Sequence, residues 1–344
     1  MTGARAMRIC QVLCGSGYGG LERHVLELAG GLAERGHEVT LVASPAYAGR
    51  LAPGVEHEPL DLTGWRFSPT LLVRLLSVLR RARPDIVHAQ ANKAAAMVAL
   101  ITPFLSARTV ATVHNLKRQT AAFRRFDGII AVSRAAAGQL QHGLVRVIHN
   151  GIQPQAVAPA ADYTAAALAR PLRRPLALAV GRLVPAKGFD LLVDAWTGLD
   201  ATLVIAGEGP ERARLEALIQ SKGLRGRVLL AGHRDDIPAL LADADLVVIS
   251  SRREGFPYAM VEALHARKVI VATRVPGADE VLPAGYVVDR EDVPALAAGI
   301  RAALADLPRA GRDYAQAWHY AAEELTVARM VAHTEAFYRT VLAR

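Results

Sequence analysis

Cysteine is nearly absent: Cys10 and Cys14 are the only two in 344 residues. That number excludes a disulfide framework, and neither thiol has the His or Cys neighbours of a metal centre, so buried, reduced thiols are expected. Long apolar runs are missing too. The longest, residues 94–105, is interrupted by Pro103 and falls short of the ~20 residues a membrane-spanning helix needs. Residues 1–8 lack the apolar core of a secretory signal. The expectation is a cytoplasmic protein, peripheral at most on the inner face of the cytoplasmic membrane. An excess of one charge is missing only from the second half: residues 171–344 carry 22 Lys and Arg against 22 Asp and Glu, whereas residues 1–170 carry 19 against 10. The whole net charge of +9 belongs to the first half. Such a field suits an anionic partner: phospholipid, a phosphorylated acceptor or nucleic acid.

What is present is hydrophobic alternation, in a chain whose length and 52% hydrophobic content supply two cores. Apolar strands at 9–13, 38–43, 85–89, 109–113, 128–132 and 145–148 alternate with helical patterns, and strands at 176–180, 201–206, 228–231, 246–249 and 269–272 repeat the layout. This predicts an α/β protein of two Rossmann-like parallel-sheet domains facing across a cleft. We place the first domain at 1–160, the second at 161–315, and a helical segment that crosses back to the first domain at 316–344. The Ala/Pro-rich stretch 154–175 is the expected linker.

The most informative segment is Glu254-Gly255-Phe256-Pro257-Tyr258-Ala259-Met260-Val261-Glu262, which leaves the buried strand 246–249 and enters a helix. Pro257 suits the first turn of that helix, and the amides of Tyr258, Ala259 and Met260 then offer an anion-binding helix start at the carboxyl edge of a sheet. Glu254 in the loop can accept sugar hydroxyls, and Glu262, one turn into the helix, can take a ribose diol. The competing reading is two solvated acids.

Other strand-end loops converge on the same chemistry. Gly181-Arg182-Leu183-Val184-Pro185-Ala186-Lys187-Gly188 hangs two cations over a strand end, where Arg182 can fork onto phosphate oxygens and Lys187 adds a point charge. Gly207 lets backbone approach a ligand in the next loop, and backbone groups around His233 and Arg234 can read a base. Gly15-x-Gly17-x-x-Gly20 matches the dinucleotide fingerprint, yet the strand after it ends Leu41-Val42-Ala43-Ser44 without the acid that would hold a ribose. Gly19 and Gly20 are therefore read as backbone contacts to a diphosphate or sugar. Asp243-Ala244-Asp245 resembles a metal-binding acid pair but precedes its strand, at the amino edge, and is rejected as a metal site. His114 ends a strand of the first domain and can donate to a sugar hydroxyl or act as acid or base, whereas His24, His37 and His57 read as structural. Two basic-aromatic regions remain, one with Lys117, Arg118, Phe123, Arg124, Arg125 and Phe126, the other with Trp65, Arg66, Phe67, Arg74, Arg80, Arg81 and Arg83. They suit an anionic membrane surface, single-stranded nucleic acid, or, in the second region, a helix burying its leucines beneath solvated arginines.

With these motifs assembled, the chain resembles the retaining glycosyltransferases of family four (glycosyl transferases group 1), which have the GT-B fold. The matching segments are Gly19-Gly20-Leu21-Glu22, Thr112-Val113-His114, Asn150-Gly151-Ile152, Val180-Gly181-Arg182 through Lys187-Gly188, Ala206 through Pro210, and Glu254 through Glu262. The resemblance implies that Glu254 binds the donor sugar, Glu262 the ribose, Arg182 and Lys187 the diphosphate, and His114 a sugar hydroxyl near the reacting carbon. Gly255, Phe256, Pro257, Tyr258 and Ala259 complete the donor loop. The resemblance implies net retention and a nucleotide-sugar as substrate (UDP before GDP); with the basic first half it points to a glycan or glycolipid acceptor of the bacterial surface such as lipopolysaccharide, and since Arg182 and Lys187 can neutralise the diphosphate, neither metal nor cofactor is expected. Nucleic acid is not an expected partner. Gln153 stands where the family often has Asp, and Val275 through Glu280 vary its Gly-rich approach to Glu280. The rival functions are a nucleotide-sugar epimerase of the same architecture and a non-catalytic nucleotide-sugar-binding protein.

Overall fold

The computed structural model describes residues 5–15, 17, 19–115, 120–155 and 162–344. The chain divides into two compact units: Met1–Gly151 with Leu325–Arg344 form unit 1, and Ile152–Glu324 form unit 2. The divisions fall at 151 and 324, where the sequence reading set 160 and 315. Part of the expected linker, residues 156–161, lies outside the described residues.

Unit 1 is a seven-stranded parallel sheet of β1 (Arg8–Leu13), β2 (Glu38–Ala43), β3 (Val55–Pro59), β4 (Ile86–Gln90), β5 (Arg108–Val113), β6 (Gly128–Ala131) and β7 (Val145–Val147), in the order β3-β2-β1-β4-β5-β6-β7. Its helices are α1 (Gly20–Glu34), α2 (Pro69–Ala82), α3 (Ala91–Ile101) and α4 (Arg134–Gly138). Unit 2 contributes α5 (Tyr163–Ala167), α6 (Phe189–Ala195), α7 (Arg212–Ser221), α8 (Ile237–Asp243), α9 (Tyr258–His265), α10 (Ala278–Val281), α11 (Val293–Ala305), α12 (Leu307–Asp313) and α13 (Ala315–Glu324). They surround a parallel sheet of β8 (Leu176–Val180), β9 (Thr202–Ala206), β10 (Val228–Gly232), β11 (Leu246–Ile249), β12 (Val269–Thr273) and β13 (Val287–Val288), ordered β10-β9-β8-β11-β12-β13. The last helix, α14 (Val327–Leu342), belongs to unit 1.

Burial on both faces makes the central strands almost continuously apolar: Ile9, Val12 and Leu13 of β1, and Leu246, Val247 and Val248 of β11, are all buried. Helix α1 follows from Val25, Leu28 and Leu32, which recur at helical spacing and are buried. Helix α14 turns Met330, Val331, Phe337, Tyr338 and Val341 into the same core. Helix α2 starts at Ser68, whose hydroxyl accepts from the Leu71 amide, with Pro69 in the first turn.

The strand orders locate where ligands can enter. In unit 1 the order reverses between β1 and β4, and in unit 2 between β8 and β11. Loops leaving the carboxyl ends of such strand pairs part to opposite faces and leave a crevice. The loops after β8 and β11 carry Arg182, Lys187 and Glu254.

Candidate active site

In unit 2 the crevice is built by interlocking backbone. The Gly181 amide donates to Ala206 O (3.0 Å), Leu183 N to Glu208 O (2.9 Å), Glu211 N to Leu183 O (3.0 Å) and Gly207 N to Gly232 O (2.7 Å). Gly207, at φ +150°, crosses so close that a Cβ there would lie 1.9 Å from the Gly181 carbonyl oxygen. Gly188, at φ +62°, packs against the β11 loop, where a Cβ would come 2.2 Å from Ser250 O. These contacts fix the backbone of the post-β8 loop from which both cations project.

Lys187 Nζ donates to Glu254 Oε1 at 2.5 Å. Ser251 Oγ donates to the same oxygen (2.9 Å), and Ser250 Oγ donates to Lys187 O (3.0 Å). Thr273 Oγ1 in turn donates to Ser251 O at 2.6 Å, so β8, β11 and β12 all hold this pair. The side chains of Lys187 and Glu254 keep 24% and 13% of their surface open, enough for a ligand to reach both. Arg182 is exposed, and its guanidinium has no partner among the described residues. One cation is therefore poised by a carboxylate and the other is open. Arg252 makes this arrangement rigid: it forks onto Asp190 (2.7 and 2.9 Å) and donates to Pro185 O (3.0 Å), tying the β11 loop to α6 and the post-β8 loop. Burial pushes the Asp190 carboxyl up, but the hydrogen bonds and charge of Arg252, together with backbone amides, outweigh it and hold the group below its usual range.

The Glu254–Glu262 segment departs from the sequence reading at one point. Pro257 is the residue before the first turn of α9, not a member of it. Met260 N donates to Pro257 O at 3.1 Å, so its amide is engaged, and only those of Tyr258 and Ala259 lie ahead of it. Gly255 and Phe256 are buried beneath the loop, and Glu262 lies half-buried on α9. His233 is exposed beside Asp235 (3.2 Å). Arg234 is turned onto Asp236, which also accepts from Tyr163 OH at 2.8 Å, so its side chain is committed to structure and its backbone is what the loop presents. Asp243 and Asp245 hold Arg174: Asp243 also accepts from Thr164 N (2.9 Å), and Asp245 from Leu176 N (2.7 Å). The acid pair braces the amino edge of the sheet.

In unit 1 a chain of histidine and amide side chains lies at the strand ends. His114 Nε2 meets Gln90 Oε1 at 2.8 Å, and Gln90 Nε2 donates to Gln11 Oε1 at 2.7 Å. His88, buried beside them, bonds Tyr338 OH (2.6 Å) through Nδ1 and Thr112 Oγ1 (2.7 Å) through Nε2. The ring of His24 meets His114 edge to face at 4.6 Å and contacts Asn150 Oδ1 through Nδ1 at 3.1 Å. Burial lowers the His24 pKa to about 4, against the opposing pull of Asn150, and burial with the neighbouring His24 lowers that of His88 to about 3. Both rings are neutral at pH 7. Around Gly19 and Gly20 the Glu22 carboxylate fills the turn, with its oxygens 3.0 to 3.3 Å from where Cβ atoms on Gly15, Gly17 and Gly19 would stand. A carboxylate there repels a second anion, so this turn favours hydroxyl groups over a diphosphate. Burial pushes the thiols of Cys10 and Cys14 up to about 12, and both are free. Lys117 and Arg118 lie outside the described residues.

Two family models cover nearly the whole chain. Residues 18–156 match glycosyltransferase family 4, and residues 164–324 match glycosyl transferases group 1. The chain belongs to this glycosyltransferase family. Among its relatives, a human phosphatidylinositol N-acetylglucosaminyltransferase chain is 31% identical over 331 residues, covering 84% of this chain and 66% of that protein. The chain thus spans about two thirds of that relative's length. Lipopolysaccharide core biosynthesis glycosyltransferase LpsE of Rhizobium meliloti is 28% identical over 299 residues, with coverage of 84% and 86%. The fold matches a glycosyltransferase from Rickettsia africae (TM-score 0.85, 20% identity, 98% and 99% of the two chains) and Anabaena Alr3699/HepE in complex with UDP-glucose (0.84, 22%, 98% and 100%). This glycosyltransferase therefore has the GT-B architecture of two Rossmann-like parallel-sheet domains.

The residues that the sequence missed lie behind the named ones. Ser250, Ser251 and Thr273 hold the Lys187–Glu254 pair, and Gln90 holds His114. Gln90 carried a usable signal: it is a polar residue at the carboxyl end of a strand beside the reversal of strand order.

Proposed function

We propose that the chain is a retaining, metal-independent glycosyltransferase that moves a sugar from a nucleoside-diphosphate sugar, UDP before GDP, to a glycan or glycolipid of a bacterial cell surface such as lipopolysaccharide. The observation that carries this reading is the Lys187–Glu254 contact of 2.5 Å at the β8/β11 reversal, beside the open Arg182. A diphosphate needs two fixed cations, and its sugar needs a fixed acceptor of hydroxyl protons. Arg182 forks onto phosphate oxygens, Lys187 divides its protons between phosphate and Glu254, and Glu254 turns its remaining lone pairs to the sugar. Glu262 takes the ribose hydroxyls, and the backbone at Gly207, His233 and Arg234 faces the base. The glycolipid acceptor draws support from the relatives, whose names carry phosphatidylinositol in one and lipopolysaccharide in the other.

In the transfer step the bond from the anomeric carbon to the diphosphate oxygen breaks, and the acceptor oxygen bonds to that carbon on the same face. The acceptor's proton passes to the departing diphosphate oxygen. Arg182 and Lys187 stabilise the charge that develops there, so the protein's part is orientation and electrostatics. His114, oriented by Gln90 through Nε2 at the end of β5, meets a sugar hydroxyl.

The test follows the anomeric proton by NMR during turnover. With acceptor present, free nucleoside diphosphate and a product of unchanged anomeric configuration are expected. An inverted product would refute retention, and a new isomer of the sugar formed from donor alone would identify an epimerase.

A further inference from the structure

Six large hydrophobic side chains are exposed among the described residues, and five of them, Trp65, Phe67, Val73, Leu100 and Phe104, fall between residues 65 and 104 of unit 1. Trp65 is 69% exposed, Val73 65%, Phe104 57% and Phe67 43%. The segment 65–83 also carries five arginines and no acid. In α2, Leu75, Val78 and Leu79 face the core, which leaves Val73, Arg74, Ser77, Arg80 and Arg81 on the outer face. Arg80 Nε donates to Phe104 O at 3.2 Å and so joins the end of α3 to this face. The strip runs along a helix about 20 Å long.

The aromatic tip ahead of α2 is a built structure. Asp61 Oδ1 accepts from both the amide (2.8 Å) and the hydroxyl (2.7 Å) of Thr63, Lys93 donates to Thr63 O, and Ser68 N closes onto Trp65 O at 3.0 Å. The two rings hold each other edge to face at 5.6 Å, and the Arg66 guanidinium lies 5.2 Å over Phe67. Two aromatic rings fixed outside the core, with arginines behind them, lose their exposed apolar surface only against another apolar phase.

We propose that Trp65, Phe67 and the outer face of α2 dock unit 1 onto an anionic phospholipid bilayer, the rings entering the headgroup layer and Arg66, Arg74 and Arg80 meeting lipid phosphates. Charge complementarity names the occupant: unit 1 carries 21 Lys and Arg against 10 Asp and Glu, whereas unit 2 carries 20 against 22. Single-stranded nucleic acid would use the arginines, but Arg66 covers the Phe67 face that a base would need, and Val73 and Phe104 would gain nothing from it. The docking deepens the glycolipid reading of the acceptor, yet it stands on the surface of unit 1 alone.

Trp65 is itself the probe, because Trp196 is buried and Trp318 half-buried. The full chain is mixed with phosphatidylcholine vesicles with and without phosphatidylglycerol, and tryptophan emission and co-sedimentation are read together. Blue-shifted emission and sedimentation are expected with the anionic vesicles and not the neutral ones, weakening with salt. Arg74→Gln and Arg80→Gln should each weaken binding about fivefold, and the pair Trp65→Ala/Phe67→Ala should abolish the shift and most of the sedimentation. All of these positions are exposed, and UDP binding by the variants reports separately on the donor site. Equal binding to neutral vesicles, unchanged binding by the variants, or retention on a single-stranded oligonucleotide with none on vesicles would overturn the proposal.

Discussion

Units 1 and 2 share one topological device, a parallel sheet whose strand order reverses at its centre, and fill it with opposite chemistry. In unit 2 the crevice between β8 and β11 is ionic: Lys187 bonded to Glu254, Arg182 open, Arg252 locked on Asp190. In unit 1, His24 and His88 are buried and held uncharged, Gln11, Gln90 and a half-buried His114 form a chain of hydrogen bonds, and the one carboxylate described there, Glu22, fills the turn after β1. Fold alone does not set a site's ligand. The side chains at the strand ends differ, and on the proposed reading a charged diphosphate falls to unit 2 and sugar hydroxyls to unit 1.

The two chemistries part most sharply at the ionic pair. Lys187→Ala and Glu254→Gln should each lower kcat/KM by about a thousandfold, ~4 kcal/mol, as expected for groups that act on developing charge. The lysine variant should also lose nucleotide affinity, and the glutamine variant should keep it. Steady-state kinetics beside UDP titration separates the two, and a Glu254→Gln enzyme of normal rate would remove Glu254 from its assigned role, whereas a wild type without turnover would point to a binding protein. Gly207→Ala tests whether the ionic crevice depends on its crossed backbone: the new Cβ would meet Gly181 O, which should destabilise unit 2 by about 3 kcal/mol. Urea unfolding followed through the buried Trp196 gives the value, and an unchanged midpoint would refute the crossing.

Acid should separate the units. The folded pKa values of His24 and His88 are about 4 and about 3, below the ordinary 6.5, so the unfolded chain takes up protons first. Their stability contribution is complete above about pH 6.5 and falls by ~1.4 kcal/mol per pH unit for each ring as pH drops toward those values. In unit 2, Asp190 and Asp243 are held below the ordinary 3.8, so their contribution is lost only at lower pH. Between pH 6 and about 4.5, hydrogen exchange should accelerate in unit 1 well before unit 2, and His24→Gln should reduce the slope. The smallest effect is expected at Gln90→Leu, which leaves His114 and Gln11 without their shared partner. It should lower kcat about tenfold with no change in UDP affinity.

Much of this architecture was legible because strands buried on both faces announce themselves as apolar runs. Eleven of the thirteen strands among the described residues were legible in the sequence, most of them in this way. The two exceptions are peripheral: β3, Val-Glu-His-Glu-Pro, is a half-exposed edge strand whose polar residues read as loop, and β13 is two residues long. In unit 2 the candidate residues Arg182, Lys187 and Glu254 could be picked out because each sits in a strand-end loop next to a glycine. The network of unit 1 could not. It is assembled from residues as far apart as His88 and Tyr338, and a histidine inside a strand gives no sequence sign of which distant hydroxyl it will meet. Pro257 shows a finer limit, since proline is acceptable both just before and just inside a helix, and only the backbone tells which.

Whether unit 2 holds a nucleoside diphosphate through Arg182 and Lys187 is decided by calorimetric titration of UDP and GDP into the wild-type chain and an Arg182→Ala/Lys187→Ala variant. The wild type should bind at least one nucleotide saturably, and the variant should lose about a hundredfold or more in affinity, as two charge-assisted contacts at ~1.5 kcal/mol each would give. Equal affinity in the two proteins would contradict it.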